Sequence, residues 1–221
     1  QAELTQRKPE WIYMHYSGNH FQWLNDFQQT GLMRFTLEQD YFPWRIKVGG
    51  SYNSYSNPVY FDTLALPAQF NGTTSGISVF LQHLLKVKWF NLQSLFLYNG
   101  IAESSVIRLP AFVARNSMFV ELVPKKKTFK LQIGVDLFYH SAYLADDYMP
   151  NTGQYFLQNN LKLGNYPFLD FWVSMKIKSV RAFFKIDHVN SGLLGSTYYL
   201  VPHYPQNDRA LKFGISWSFN D

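Results

Sequence analysis

Residues Asp208–Asp221, DRALKFGISWSFND, keep a two-residue alternation without a break. Leu211, Phe213, Ile215, Trp217 and Phe219 fall on one side of an extended strand. Ala210, Lys212, Gly214, Ser216 and Ser218 fall on the other. Successive side chains of a strand point to opposite faces, so this segment has one oily face and one small, polar face. In a soluble sandwich the oily face meets a second sheet. In an outer-membrane barrel it meets lipid, and the polar face lines a wet lumen. An aromatic-rich amphipathic strand placed here favours the barrel, because bacterial barrels commonly end this way.

Composition points the same way. The apolar share is 47% over 221 residues, and mean hydropathy is −0.20, so hydrophobicity is dispersed. No stretch approaches the roughly 18 apolar residues of a membrane-spanning helix. Barrels escape that test, since only alternate positions of their strands face lipid. Phe, Tyr and Trp make up 19% of the chain. Such rings favour pleated strands and membrane interfaces. The absence of cysteine fits a closed barrel, which needs no disulfides. The formal charge is +5, yet Lys and Arg are scattered and no RNA-binding signature occurs, so nucleic acid is not an expected partner. With Gln1 first and no apolar signal segment, a processed mature protein or a fragment of a longer one is expected.

Strand-like segments follow one another: Glu10–Leu24, Thr30–Asp40, Trp44–Ser56, Gly76–Trp89, Asn91–Glu103, Phe112–Val123, Thr128–Tyr143, Gln154–Leu163, Phe168–Ser179, Val180–Gly192 and Arg209–Phe219. Many reach the roughly 9–11 residues a tilted strand needs to cross a bilayer. Pro43, Pro124 and Pro167 sit in short connections or at strand starts. Longer polar connections fall at Asn57–Ser75, Asp146–Gly153 and Leu194–Asp208. Tight turns alternating with long loops is the pattern of an outer-membrane barrel. Nothing divides the chain, so residues 1–221 read as one β domain. Aromatics near strand ends (Trp11, Trp44, Trp89, Tyr139, Trp217, Phe219) match interfacial girdles. In Val180–Gly192, Ala182, Phe184 and Ile186 oppose Arg181, Lys185 and Asp187, and Phe183 is an exception on the charged side.

The C-terminal third carries a resemblance. The run NYPFLDFWVSMKIKSVRAFFKIDHVNSGL (Asn165–Leu193), then YYLVPHYPQNDRALKFGISWSFND (Tyr198–Asp221), resembles the end of the outer-membrane porin family of Bacteroidetes-type bacteria. GNHFQWLNDF (Gly18–Phe27) and NPVYFD (Asn57–Asp62) are similar to earlier parts of that family. The likeness is most specific over the last sixty or so residues, through HVN, PHYP and the final strand. It implies an outer-membrane β-barrel with a passive channel role and no catalytic motif. Members are usually much longer, so the resemblance also implies that this chain is the C-terminal portion of a larger barrel.

The expected fold is therefore all-β, an antiparallel transmembrane β-barrel of the outer-membrane type or the C-terminal part of a larger one. Closed by itself, it calls for ten or twelve strands, because single-chain barrels use even numbers. The expected function is passive diffusion of small polar solutes or ions through the outer membrane. The alternative is a non-conducting structural or assembly subunit of a secretion or uptake complex, with other outer-membrane subunits as partners. Candidate lumen-facing charges are Arg45, Lys47, Lys130, Asp136, Asp170, Lys176, Lys178, Arg181, Lys185, Asp187 and Lys212. Charged rings set ion preference through local potential, and the cationic excess favours anions. The plainer reading is that they only hydrate the lumen and pair across neighbouring strands.

No cofactor is expected, and no enzyme. His140-Ser141 and Asp187-His188 are adjacent pairs, whose side chains on a strand point apart. No GxSxG, HExxH or Walker loop occurs. Asp146-Asp147 with Asn151 lacks the ligand spacing of a calcium loop, and six scattered His residues lack zinc spacing. Tyr198, Tyr199 and Tyr204, with Pro202 and Pro205, read as sugar-stacking rings, a cover over the barrel mouth, or a loop packed on itself.

Overall fold

The computed structural model describes residues 1–102, 105–124, 128–193 and 198–219. Ten strands form one sheet: β1 (Ala2–Arg7), β2 (Thr30–Tyr41), β3 (Ile46–Ser56), β4 (Thr73–Val87), β5 (Phe90–Ile101), β6 (Phe112–Leu122), β7 (Phe129–His140), β8 (Phe168–Ile177), β9 (Val180–Asp187) and β10 (Ala210–Trp217). Each pairs antiparallel with its sequence neighbours, giving an up-and-down meander. Seven of the ten have 10–15 residues, enough to cross a bilayer. No helix among the described residues is long and apolar enough to do so.

Connections alternate in length. At one end the chain turns within residues 42–45, 88–89, 123–128 and 178–179; at the other it uses residues 8–29, 57–72, 102–111, 141–167 and 188–209. The two-residue turns at Lys88 and Lys178 have φ of 53° and 52°, the left-handed backbone that primed hairpin turns require.

Register assigns every side chain to a face. Cross-strand partners share a face, so Met118, Val135, Phe171 and Ile186 lie in one row of the sheet on the apolar side. Phe35, Leu37, Ile77, Val79, Phe213 and Ile215 on that same side are exposed, Phe213 by 84% and Ile215 by 77%. A soluble protein does not leave so extensive a grease-covered face in water. Trp44, Trp89 and Trp217 ring the short-turn end and stay largely exposed, where an amphipathic ring suits a membrane interface.

Three expectations are corrected. Glu10–Leu24 is no long strand: residues Trp11–Met14 make one helical turn, followed by a hairpin of His15–Ser17 against Gln22–Leu24. The run WIYMHY has no two-residue alternation to sustain a sheet face, and Trp23 is buried instead. Gln154–Leu163 is no long strand either: it contributes Gln154–Phe156, hairpinned with Asp147–Met149, and a single bridge from Leu163 to Tyr143. Meanwhile Ala2–Arg7, short and mostly polar, is a wall strand that the pattern did not reveal. The expected strand end at Glu103 and the first residues, 194–197, of the expected connection Leu194–Asp208 lie outside the described residues. The sheet is also open: β1 pairs only with residues 30–35 of β2, and β1 and β10 are not paired with each other.

Glycine and aromatic residues interlock on the polar face. A Cβ on Gly49 would lie 2.5 Å from the Phe80 ring, one on Gly134 2.6 Å from the Trp172 ring, and one on Gly214 2.5 Å from the Phe183 ring. Each ring occupies the space beside the glycine directly opposite it. That explains Phe183, the apparent exception: its ring covers bare backbone on β10.

Candidate permeation surface

The polar face carries a ladder of charges that runs across the sheet from β2 to β10. Lys185 on β9 lies 2.8 Å from both Asp170 and Asp187, and Asp187 also pairs with Lys212 on β10. Asp136 on β7 accepts from the Ser117 hydroxyl at 2.6 Å and from the Trp172 indole at 2.9 Å. Lys47 pairs with Glu38 at 2.6 Å. Glu121 on β6, absent from the expected set, gathers Lys130 (2.7 Å), Lys86 (3.2 Å) and the Gln132 amide (2.8 Å). Cross-strand pairing thus neutralises much of the face, as the plainer reading of these charges holds.

Lys176 and Arg181 differ. They stand directly opposite each other on β8 and β9, and Lys176 also stands opposite Lys130 on β7. Among the described residues neither makes an ion pair. Arg45 and Lys178 sit in short turns with φ of 49° and 52°, beyond the ends of the strands, where register assigns no face.

The long connections form an interlocked layer at the other end, and most of the buried apolar side chains belong to it. Trp23 stacks on Tyr16 (centroids 4.7 Å) and meets Phe61 edge-on (5.9 Å). Leu157 N–H donates to the Phe61 carbonyl at 3.0 Å, joining residues 57–72 to 141–167. Asp147 holds His203 at 2.9 Å, and Arg108 reaches Asn159 at 2.7 Å. The HVN motif has a structural role here. His188 is 4% exposed, its Nδ1 3.0 Å from the Asn207 carbonyl and its Nε2 2.7 Å from the Tyr166 hydroxyl. Asn190 clamps Pro167 and Leu169. In NPVYFD, Asp62 accepts from the N–H groups of Leu64 and Leu66. These contacts gave no sequence signal beyond the motifs themselves, because they join distant loops.

The enzyme-like pairs do not assemble. Ser141 Oγ accepts the Phe112 N–H at 3.0 Å while His140 Nδ1 lies against the Ser141 carbonyl. Asp187 faces Lys185 and Lys212, and His188 faces Tyr166. No group of three or more metal-ligating side chains occurs among the described residues.

Asp146 is half-buried, and burial pushes its carboxyl above the ordinary carboxylate range, against the pull of Arg108. A raised carboxyl value means that the folded loops hold this proton more tightly than the unfolded chain does. Stability from this site is therefore present at acid pH and falls as pH rises from the unfolded value through the folded one. Asp146→Asn is expected to remove that dependence and to slow amide exchange across residues 141–163 at neutral pH. Faster exchange in the variant would show that the carboxylate is stabilising instead.

Comparison with known proteins adds one finding. The sequence model of a family described as "Putative porin" matches residues 1–221, well beyond the C-terminal third where the likeness is most visible by eye. No curated protein matches the chain.

Proposed function

The chain belongs to the putative porin family, and from that premise we propose that this porin-like outer-membrane protein supports passive diffusion of small polar solutes or ions. The observation that carries the reading is the two-sided sheet: a continuous apolar face for acyl chains and a charged, hydrated face for the passage. No covalent chemistry and no cofactor enters it. A closed wall is required, because unpaired backbone groups cannot face lipid. Strand alternation makes β1 and β10 antiparallel, so the two open edges are complementary in direction.

Lys176 and Arg181 give the passage a mild anion preference. A unit charge ~10 Å from a passing ion contributes about 0.4 kcal/mol at the dielectric of water, and salt screens part of it. The pair therefore sets roughly a two- to fourfold anion preference. The zero-current potential in a KCl gradient measures it. Lys176→Gln with Arg181→Gln should move that potential toward zero; an unchanged value removes both from the ion path. A protein that folds into bilayers yet shows no conductance steps above background would sink the diffusion reading. The interlocked loops favour a second reading, a capped non-conducting subunit of an outer-membrane assembly. Absent conductance together with a stoichiometric co-purifying partner would select it.

A further inference from the structure

Three neighbouring strands place like charges side by side on the polar face: Lys130, Lys176 and Arg181 occupy one cross-strand row at the short-turn end. Like charges directly opposite one another are destabilising. Glu121 relieves Lys130, but nothing among the described residues relieves the other two. One step along the strands, Phe183 stands opposite Ser174. Its ring sits against Gly214 on β10, and the residue is 47% exposed. Residues two apart on a strand share a face about 7 Å apart. Arg181 and Phe183 are such a pair on β9, and Lys176 and Ser174 are the matching pair on β8.

An apolar ring, a hydroxyl and two unpaired cations within one such patch form a composite surface. It offers a flat face for the C–H side of a sugar ring, a polar group beside it, and positive charge one step further on. From this juxtaposition we propose that the wall carries a binding subsite for acidic saccharides. The ring rests on Phe183, and the carboxylate or phosphate lies between Lys176 and Arg181. The subsite names a solute class for the diffusion reading above and rests on it for its physiological role. It makes permeation saturable, because a solute that pauses on the wall occupies the path.

Two measurements on the folded full chain separate the subsite from the channel. In bilayers, glucuronate should interrupt the KCl current at about tenfold lower concentration than glucose, which lacks the charge, or acetate, which lacks the ring. Phe183→Leu keeps apolar bulk over Gly214 but removes the ring, and should bring glucuronate to the level of acetate. Lys176→Gln with Arg181→Gln should bring it to the level of glucose. In detergent, saturation transfer from protein to glucuronate reads binding directly, whether or not the protein conducts. Transfer without conductance keeps the subsite and discards diffusion. No transfer, or equal potency of glucuronate and acetate in a conducting protein, overturns the subsite.

Discussion

Val173→Arg is expected to lower the stability of the bilayer-folded protein by about 2–4 kcal/mol, while Ser174→Arg, one residue along the same strand, costs at most about 1 kcal/mol. Val173 sits mid-strand on the apolar face between Ile133 and Phe184, and Ser174 on the polar face between Gln132 and Phe183. A guanidinium at the first position must be carried into hydrocarbon. At the second it enters water, and its cost is repulsion from the Lys176 and Arg181 row. Reversible urea unfolding in lipid vesicles measures both. Equal costs would mean that the two faces meet similar surroundings, and the assignment of lipid to one and water to the other would fall.

Gly134→Ala is the second large effect. The added Cβ would lie 2.6 Å from the Trp172 ring and 2.7 Å from Phe119 Cβ, and the latter is the fixed stem of a side chain and cannot swing away. Overpacking of this kind costs about 1–3 kcal/mol. It also displaces the Trp172 indole from Asp136, whose carboxylate accepts its N–H at 2.9 Å. Gly50→Ala is the control: it lies on the apolar face of β3 with its nearest contact at 3.4 Å, and should fold normally. The loss should appear in lipid as a lower urea midpoint and as a shift in Trp emission. A Gly134→Ala protein as stable as Gly50→Ala would show that the rings do not seat on glycine.

Most of the wall was legible because alternation is a local property. Most of the stretches that became β2–β10 show an oily and a polar side within a dozen residues, and their turns carry Pro or a short polar break. Ala2–Arg7 escaped because six residues with only Leu4 as a large apolar side chain give no periodic signal. Glu10–Leu24 misled because aromatic richness there serves packing against Phe61 and not a sheet face. The candidate charges were readable as a set, since any charge opposite a greasy neighbour on a strand belongs to the polar face. Arg45 and Lys178 lie past the strand ends, in turns of left-handed backbone, where two-residue alternation no longer assigns a face.

The sequence by itself determined the class of architecture and the two kinds of surroundings its faces require, because strand periodicity and side-chain polarity are written residue by residue. Tertiary structure alone decided which charges are spent on one another and which stand unpaired. Pairing depends on register between strands far apart in sequence, as when Glu121 takes Lys86 and Lys130 and leaves Lys176 to face Arg181. It also decided that Phe183 belongs where it is, since only the antiparallel register of β9 and β10 brings a bare glycine beneath that ring.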